Sequence, residues 1–187
     1  MGLKKEKSEN MKTIDTERLI LRGWLLDDLN DLYEYAKNPQ VGPMAGWKPH
    51  SSKEESLNAL KYNMENDNRW AIVLKENEKV IGSINLNPDE NRGKYYAKLI
   101  SFALSADYWG NGYMTEAVKR VVKYAFEEMN VDMISAFHYP HNFRSKRVIE
   151  KCGFRYEGTI KNGSKIFDGH IYDTVFYSIL KSEYNGE

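Results

Sequence analysis

Apolar residues recur along the chain with two different periods, and the change of period from one segment to the next sets out an alternating order of elements. The first apolar run, Leu19 to Leu21 at the end of "TIDTERLILR", is short and dense, as a buried strand is. "LLDDLNDLYEYAKN" then places Leu25, Leu29, Leu32, Tyr33 and Ala36 at helical spacing and stops at Asn38-Pro39, so a helix follows. A loop punctuated by Gly and Pro, "NPQVGPMAGWKPH", leads to a second helix over "SSKEESLNALKYNMEN", capped by Ser51 or Ser52. Three strand-like segments come next, "RWAIVLK", "KVIGSINL" and "KLISFAL", joined by the turn-like "ENE" and by "NPDENRG"; they predict an antiparallel meander. Met114, Ala117, Val118, Val121, Val122, Ala125, Phe126 and Met129 then mark one face of a long helix. "MISAFHY" reads as a strand, "NFRSKRVIEKCGF" as a short helix stopped by Gly153, and "IFDGHIYDTVFYSIL" as one or two closing strands. The order predicts an α/β (α+β) domain whose mixed, mostly antiparallel sheet carries helices on both faces.

Composition narrows the classes of function. The 187 residues carry 27 basic and 27 acidic side chains, so no net charge favours nucleic acid or an anionic membrane as partner. Hydrophobic residues make up 41%, enough for one core with aromatic rings left for a cleft. A single cysteine, Cys152, excludes an internal disulfide, and no apolar run approaches the ~18 residues of a membrane span; a cytoplasmic protein is expected. "MGLKKEKSEN" lacks the apolar stretch of a secretion signal and reads as a solvated tail, which leaves residues 11–187 as one domain.

Between the third strand of the meander and the long helix lies "ADYWGNGYMTEA". Gly110 and Gly112 let a backbone turn sharply and let a ligand approach it, and a helix beginning near Gly112 adds unpaired N–H groups and the positive end of its dipole. Such a turn attracts phosphate. A nucleotide P-loop is excluded because no Gly-Lys-Ser/Thr follows, and the dinucleotide fingerprint fails because Thr115 stands where its third glycine belongs.

This stretch resembles the pyrophosphate loop of the GCN5-related N-acetyltransferase superfamily, and "YWGNGYMTEA" is similar to that of its branch of ribosomal-protein N-terminal (alanine/serine) acetyltransferases. "TERLILR", "NPQVGPMAGW", "NFRSKRVIEKCGFRYEG" and "YDTVFYSIL" resemble further segments of that branch in the same order, so the resemblance runs from Thr13 to Leu180. It implies a sheet splayed between the two parallel strands that flank the glycine-loop helix. It also implies acetyl-CoA as cosubstrate, no metal, and a primary amine as acceptor, led by a protein N-terminal α-amine. Alternatives are a small-molecule amine such as an antibiotic, polyamine or amino acid, or a non-catalytic acyl-CoA-binding module. A monomer or homodimer is expected.

Carried over by position, the resemblance assigns the pyrophosphate to the backbone of Trp109, Gly110, Asn111, Gly112, Tyr113 and Met114, and the pantetheine amides to Phe102, Ala103 and Leu104. Asn142 is expected near the sulfur arm, and Ser145, three residues on and on the same helical face, is the expected general acid for the departing thiolate. Asp107 stands where the family's loop carries Gln or Arg, and Ile149 where many members carry a tyrosine acid. No general base is evident, because Leu99 and Ser164 occupy the positions of the family's glutamates; Tyr172, Asp173 or a bound water remain. His138 and His141 lack the further His or Cys a metal site needs. Trp47 either walls the acceptor cleft or anchors its loop.

Overall fold

The computed structural model describes residues 11–186; the predicted N-terminal tail falls outside the described residues. A short strand that the hydrophobic pattern does not reveal, β1 (Ile14–Asp15), precedes β2 (Leu19–Arg22). The first helix, α1 (Leu29–Ala36), starts later than its apolar spacing predicts, because Leu26–Asp28 form a 3₁₀ turn held by the Asp28 carboxylate, which accepts from Leu25 N–H and the Arg22 guanidinium. Tyr35, rather than Tyr33, turns into the core. A single helical turn, α2 (Gly42–Ala45), interrupts the following loop, and α3 (Lys53–Met64) is capped by Ser52, whose hydroxyl accepts from Glu55 N–H.

The meander forms as predicted from β3 (Arg69–Leu74), β4 (Val80–Pro88) and β5 (Ala97–Leu104). After it come α4 (Tyr113–Glu127), β6 (Met133–His138) and α5 (Phe143–Lys151). The closing hairpin is longer than its sequence signal. Its first strand, β7 (Arg155–Lys165), lies wholly before "IFDGH", which forms the turn and no strand, and pairs with β8 (Ile171–Leu180). Together the strands make one eight-stranded sheet in the order β1-β2-β3-β4-β5-β6-β8-β7, antiparallel at every step except between β5 and β6.

Strand alternation divides the sheet into two unlike faces. On one face Trp70, Ile72, Ile84, Leu86 and Ile100 pack against the predicted stripe of α4, every member of which is buried except the partly exposed Met129. On the other face α1 and α3 cover a smaller cluster of Leu32, Tyr35, Leu60, Ala71 and Val73. Arg69, Ser83, Asn85 and Ser101 take positions of that second face that an ordinary core would fill with apolar side chains.

Candidate active site

The sheet opens where β5 meets β6. These strands pair only at Ala97 with Met133, Lys98 with Ile134 and Leu99 with Ser135. Beyond Leu99, β5 continues to Leu104 against β4 while β6 continues to His138 against β8, so the two part company. Phe102, Ala103 and Leu104 sit on the open stretch and line a cavity of about 380 Å³.

The glycine loop closes one end of that cavity. Gly110 and Gly112 have φ of 83° and 82°, the left-handed region that glycine enters without a steric penalty, and Gly112 is the N-terminal cap residue of α4. A Cβ built on Gly110 would meet no atom within 4 Å, so its exposed side is open to a ligand. The Trp109 indole N–H donates to Leu104 O at 2.9 Å, fixing the loop to the end of β5. From outside, Arg18 donates to Asn111 O at 3.0 Å and lies over the Tyr113 ring at 4.4 Å. Glu116 in the first turn of α4 binds that arginine. Burial acts to raise the pKa of its carboxyl, but the Thr16 hydroxyl, Arg18 N–H and the Arg18 guanidinium outweigh burial and hold it below the usual carboxylate range.

Positive charge reaches the cavity from α5. Arg144, Arg147 and Lys151, spaced along one helical face, line it opposite the loop, and the Arg144 guanidinium stacks on Trp109 at 4.1 Å. These three supply the cationic surface that Asp107 does not. Their spacing is visible in the sequence, but nothing local tells which way that face of α5 turns.

A second cavity of about 410 Å³ lies under α1 and α3, lined among others by Trp47, Tyr62, Arg69, Asn85, Phe137 and His138. The two cavities share Met44, Ala45, Phe102, Ala103, Asn142 and Ser145, so they meet at the start of α5. There the Asn142 side chain is the helix cap: its Oδ1 accepts from Ser145 N–H at 3.1 Å and its Nδ2 donates to Met44 O at 3.1 Å. Asn142 thus ties α5 to the loop carrying α2. Ser145 faces the junction, and its hydroxyl enters no hydrogen bond among the described residues.

His138 is buried at the end of β6. Its Nδ1 lies 2.8 Å from Tyr139 O, which can only accept, so Nδ1 carries a proton and, in the neutral ring, the lone pair is on Nε2. That Nε2 is buried without a partner among the described residues. Tyr172 and Asp173 line neither cavity. Tyr172 packs against the His141 ring at 4.6 Å, and Asp173 accepts from Asn162 N–H within the closing hairpin. Trp47 lines the second cavity and packs against the cluster under α1. Cys152 is buried against Thr115 O, and burial pushes its thiol up to about 12, which leaves no thiolate for a nucleophile. Among the described residues no cluster of His, Cys, Asp or Glu could hold a metal, and no helix is long and apolar enough to cross a membrane.

Residues 18–155 match the family described as Acetyltransferase (GNAT) domain. An uncharacterized N-acetyltransferase, p20, of Bacillus licheniformis is 31% identical over 184 residues, which span 94% of this chain and all of that one. The Escherichia coli ribosomal protein uS5-alanine N-acetyltransferase is 26% identical over 115 residues, 62% of this chain and 58% of its own. A crystal structure of a GNAT-family acetyltransferase from Bacillus anthracis superposes with a TM-score of 0.84 at 27% identity, covering 92% of this chain and all of that one. The chain belongs to the GCN5-related N-acetyltransferase (GNAT) family. It is an acetyltransferase, with the splayed sheet and glycine loop on which that fold is built.

Proposed function

We propose that the protein transfers an acetyl group from acetyl-CoA directly to a primary amine within a ternary complex. The observation that carries this reading is the meeting of two cavities at Ser145 and Asn142: one suits a long phosphorylated thioester, the other an amine. The residues present fit coenzyme A. The left-handed glycines clear space at the N-terminus of α4, Arg144, Arg147 and Lys151 face that space, and the parted backbone of β5 can pair with amides as a strand would.

In the transfer, the amine nitrogen attacks the thioester carbonyl carbon, a C–N bond forms, and the C–S bond breaks as thiolate leaves. Two protons must move: one off the attacking amine, one onto the sulfur. We assign the second to Ser145, a choice supported by its place in the lining of both cavities. For the first, the His138 Nε2 lone pair, which the sequence reading leaves to packing, is better placed than Tyr172 or Asp173, since His138 lines the amine cavity and they do not. The acceptor could be free or the N-terminus of a protein, as for the relative that acetylates ribosomal protein uS5.

Incubation of the full chain with acetyl-CoA and a panel of amines and N-terminal peptides should release CoA at a steady rate with at least one acceptor and yield its N-acetyl product. Release without N-acetyl product would mean transfer to water and overturn the amine reading, and no release with any amine would leave an acyl-CoA-binding module. The loop assignment has its own test. Gly112→Val forces a β-branched residue into a left-handed conformation, a strain of about 1–3 kcal/mol, and should weaken acetyl-CoA binding at least ~10-fold, or ~1.4 kcal/mol, in protein that remains folded. Unchanged affinity by calorimetry would remove the pyrophosphate from this loop.

A further inference from the structure

The second cavity has an unusual charge balance. No Asp or Glu lines it, and Arg69 is its one permanently charged side chain. His50, also in the wall, is moved toward the neutral form by burial, against an opposing pull from Glu55. An acceptor that brought only an ammonium group would therefore meet a cation and no carboxylate.

Arg69 is also incompletely satisfied. Its Nε is buried with no hydrogen-bond partner among the described residues, its Nη2 reaches Asn87 Oδ1 only at 3.5 Å, and its guanidinium lies over the Tyr62 ring at 4.8 Å. A buried guanidinium N–H without an acceptor is costly, and a carboxylate is the group whose geometry matches the guanidinium fork. The sheet register builds the rest of the cradle. Arg69 is opposite Asn85 and Asn85 opposite Ser101, so the three form one polar row across β3, β4 and β5 on the helix-covered face, with Asn85 donating to Ser101 Oγ at 3.3 Å. Such a row beneath two helices is out of place in a core and in place in a binding site.

We infer that the acceptor is a small primary amine that also carries a carboxylate, with the amine at Ser145 and the carboxylate on Arg69, Asn85 and Ser101. This rests on the acetyl-transfer reading of the junction. The spacing follows from sheet geometry. Ala103, at the junction, is one row above Ser101, about 7 Å along the strands, and Arg69 is two strands further across, about 9.6 Å. An ω-amino acid or a dipeptide, in which several bonds separate amine from carboxylate, is an acceptor of this kind. Polyamines and cationic antibiotics are excluded by charge.

The test compares acids with partners that lack only the negative charge: 6-aminohexanoate with hexylamine, and Ala-Ala with its C-terminal amide. In the wild-type protein each acid should show kcat/KM at least ~10-fold above its neutral partner. Arg69→Gln should abolish that preference by raising KM for the acid while leaving the neutral amine unaffected; Arg69→Lys should restore part of it. Equal rates for acid and neutral partner, or an Arg69→Gln loss shared by both, would overturn the inference. So would 2-aminoethyl phosphate outrunning every carboxylate. Calorimetric titration of 6-aminohexanoate into the CoA-bound protein reads the site even if no amine is acetylated. Binding weakened at least ~10-fold by Arg69→Gln supports the site independently of turnover, and absence of binding to the wild-type protein overturns it.

Discussion

Ser145→Ala should lower kcat roughly 10²- to 10⁴-fold, the usual contribution of a general acid, while acetyl-CoA affinity changes little. The proton on sulfur matters only as the C–S bond breaks, so its loss falls on the chemical step and not on binding. The helix gives no competing reason for the effect. Its cap is Asn142, and Ser145 contributes a backbone N–H that alanine keeps. Asn142→Ala makes the useful contrast. It removes both the cap and the tie to Met44 O, and should cost about 0.5–2 kcal/mol of stability together with a raised KM for acetyl-CoA. Rapid-mixing or steady-state kinetics with calorimetry on the same samples separates the two. Nearly full kcat in Ser145→Ala would make the serine a spectator and send the search for a proton donor elsewhere in the junction.

His138→Gln should also reduce kcat by roughly 10² or more, because glutamine fills similar space and offers an oxygen but cannot carry away a proton near neutral pH. The size of the loss should follow the acceptor. An amine of low pKa arrives neutral and needs little help, whereas an aliphatic amine arrives as ammonium and needs a base, so the deficit should shrink as acceptor pKa falls. A residue that merely props up Tyr177, whose ring lies 5.5 Å from His138, would slow all amines alike. An equal loss across an amine series, or none, would remove His138 from the proton path.

Features encoded within one segment were legible from the residues alone. The α4 stripe, the two glycines and the Ser52 cap depend on neighbours a few residues away, and each is where its local pattern predicts. The meander was legible for the same reason. Features that no local pattern encodes depend on partners far along the chain. Nothing in the polar stretch "MENDNRW" marks Arg69 as a ligand group; it becomes one only when the register sets it beside Asn85 and Ser101. The lone pair of His138 is fixed by the carbonyl of Tyr139 and by what β8 and α5 do not offer it. β7 was hidden because its residues are nearly all exposed and interrupted by Gly158 and Gly163, so no alternation shows. Tyr172 and Asp173 are polar residues of the last strand, but hairpin geometry turns them to rings and backbone outside both cavities.

The parting of β5 from β6 has a meaning for the life of the polypeptide as well as for its chemistry. Between Leu99 and Leu104 the sheet has an internal edge, the side of β5 that faces away from β4 and that β6 no longer pairs with. Exposed edges invite pairing with other chains, and a ligand that completes the edge acts as a substitute strand. Because such a ligand binds the folded form alone, it holds that form by RT ln(1 + [L]/Kd), about 2.7 kcal/mol at a hundredfold excess over Kd. That is a sizeable part of the margin by which most domains stay folded. Acetyl-CoA at that excess should therefore raise the thermal midpoint of the purified protein and slow its aggregation on heating, which thermal melts with and without the ligand would read.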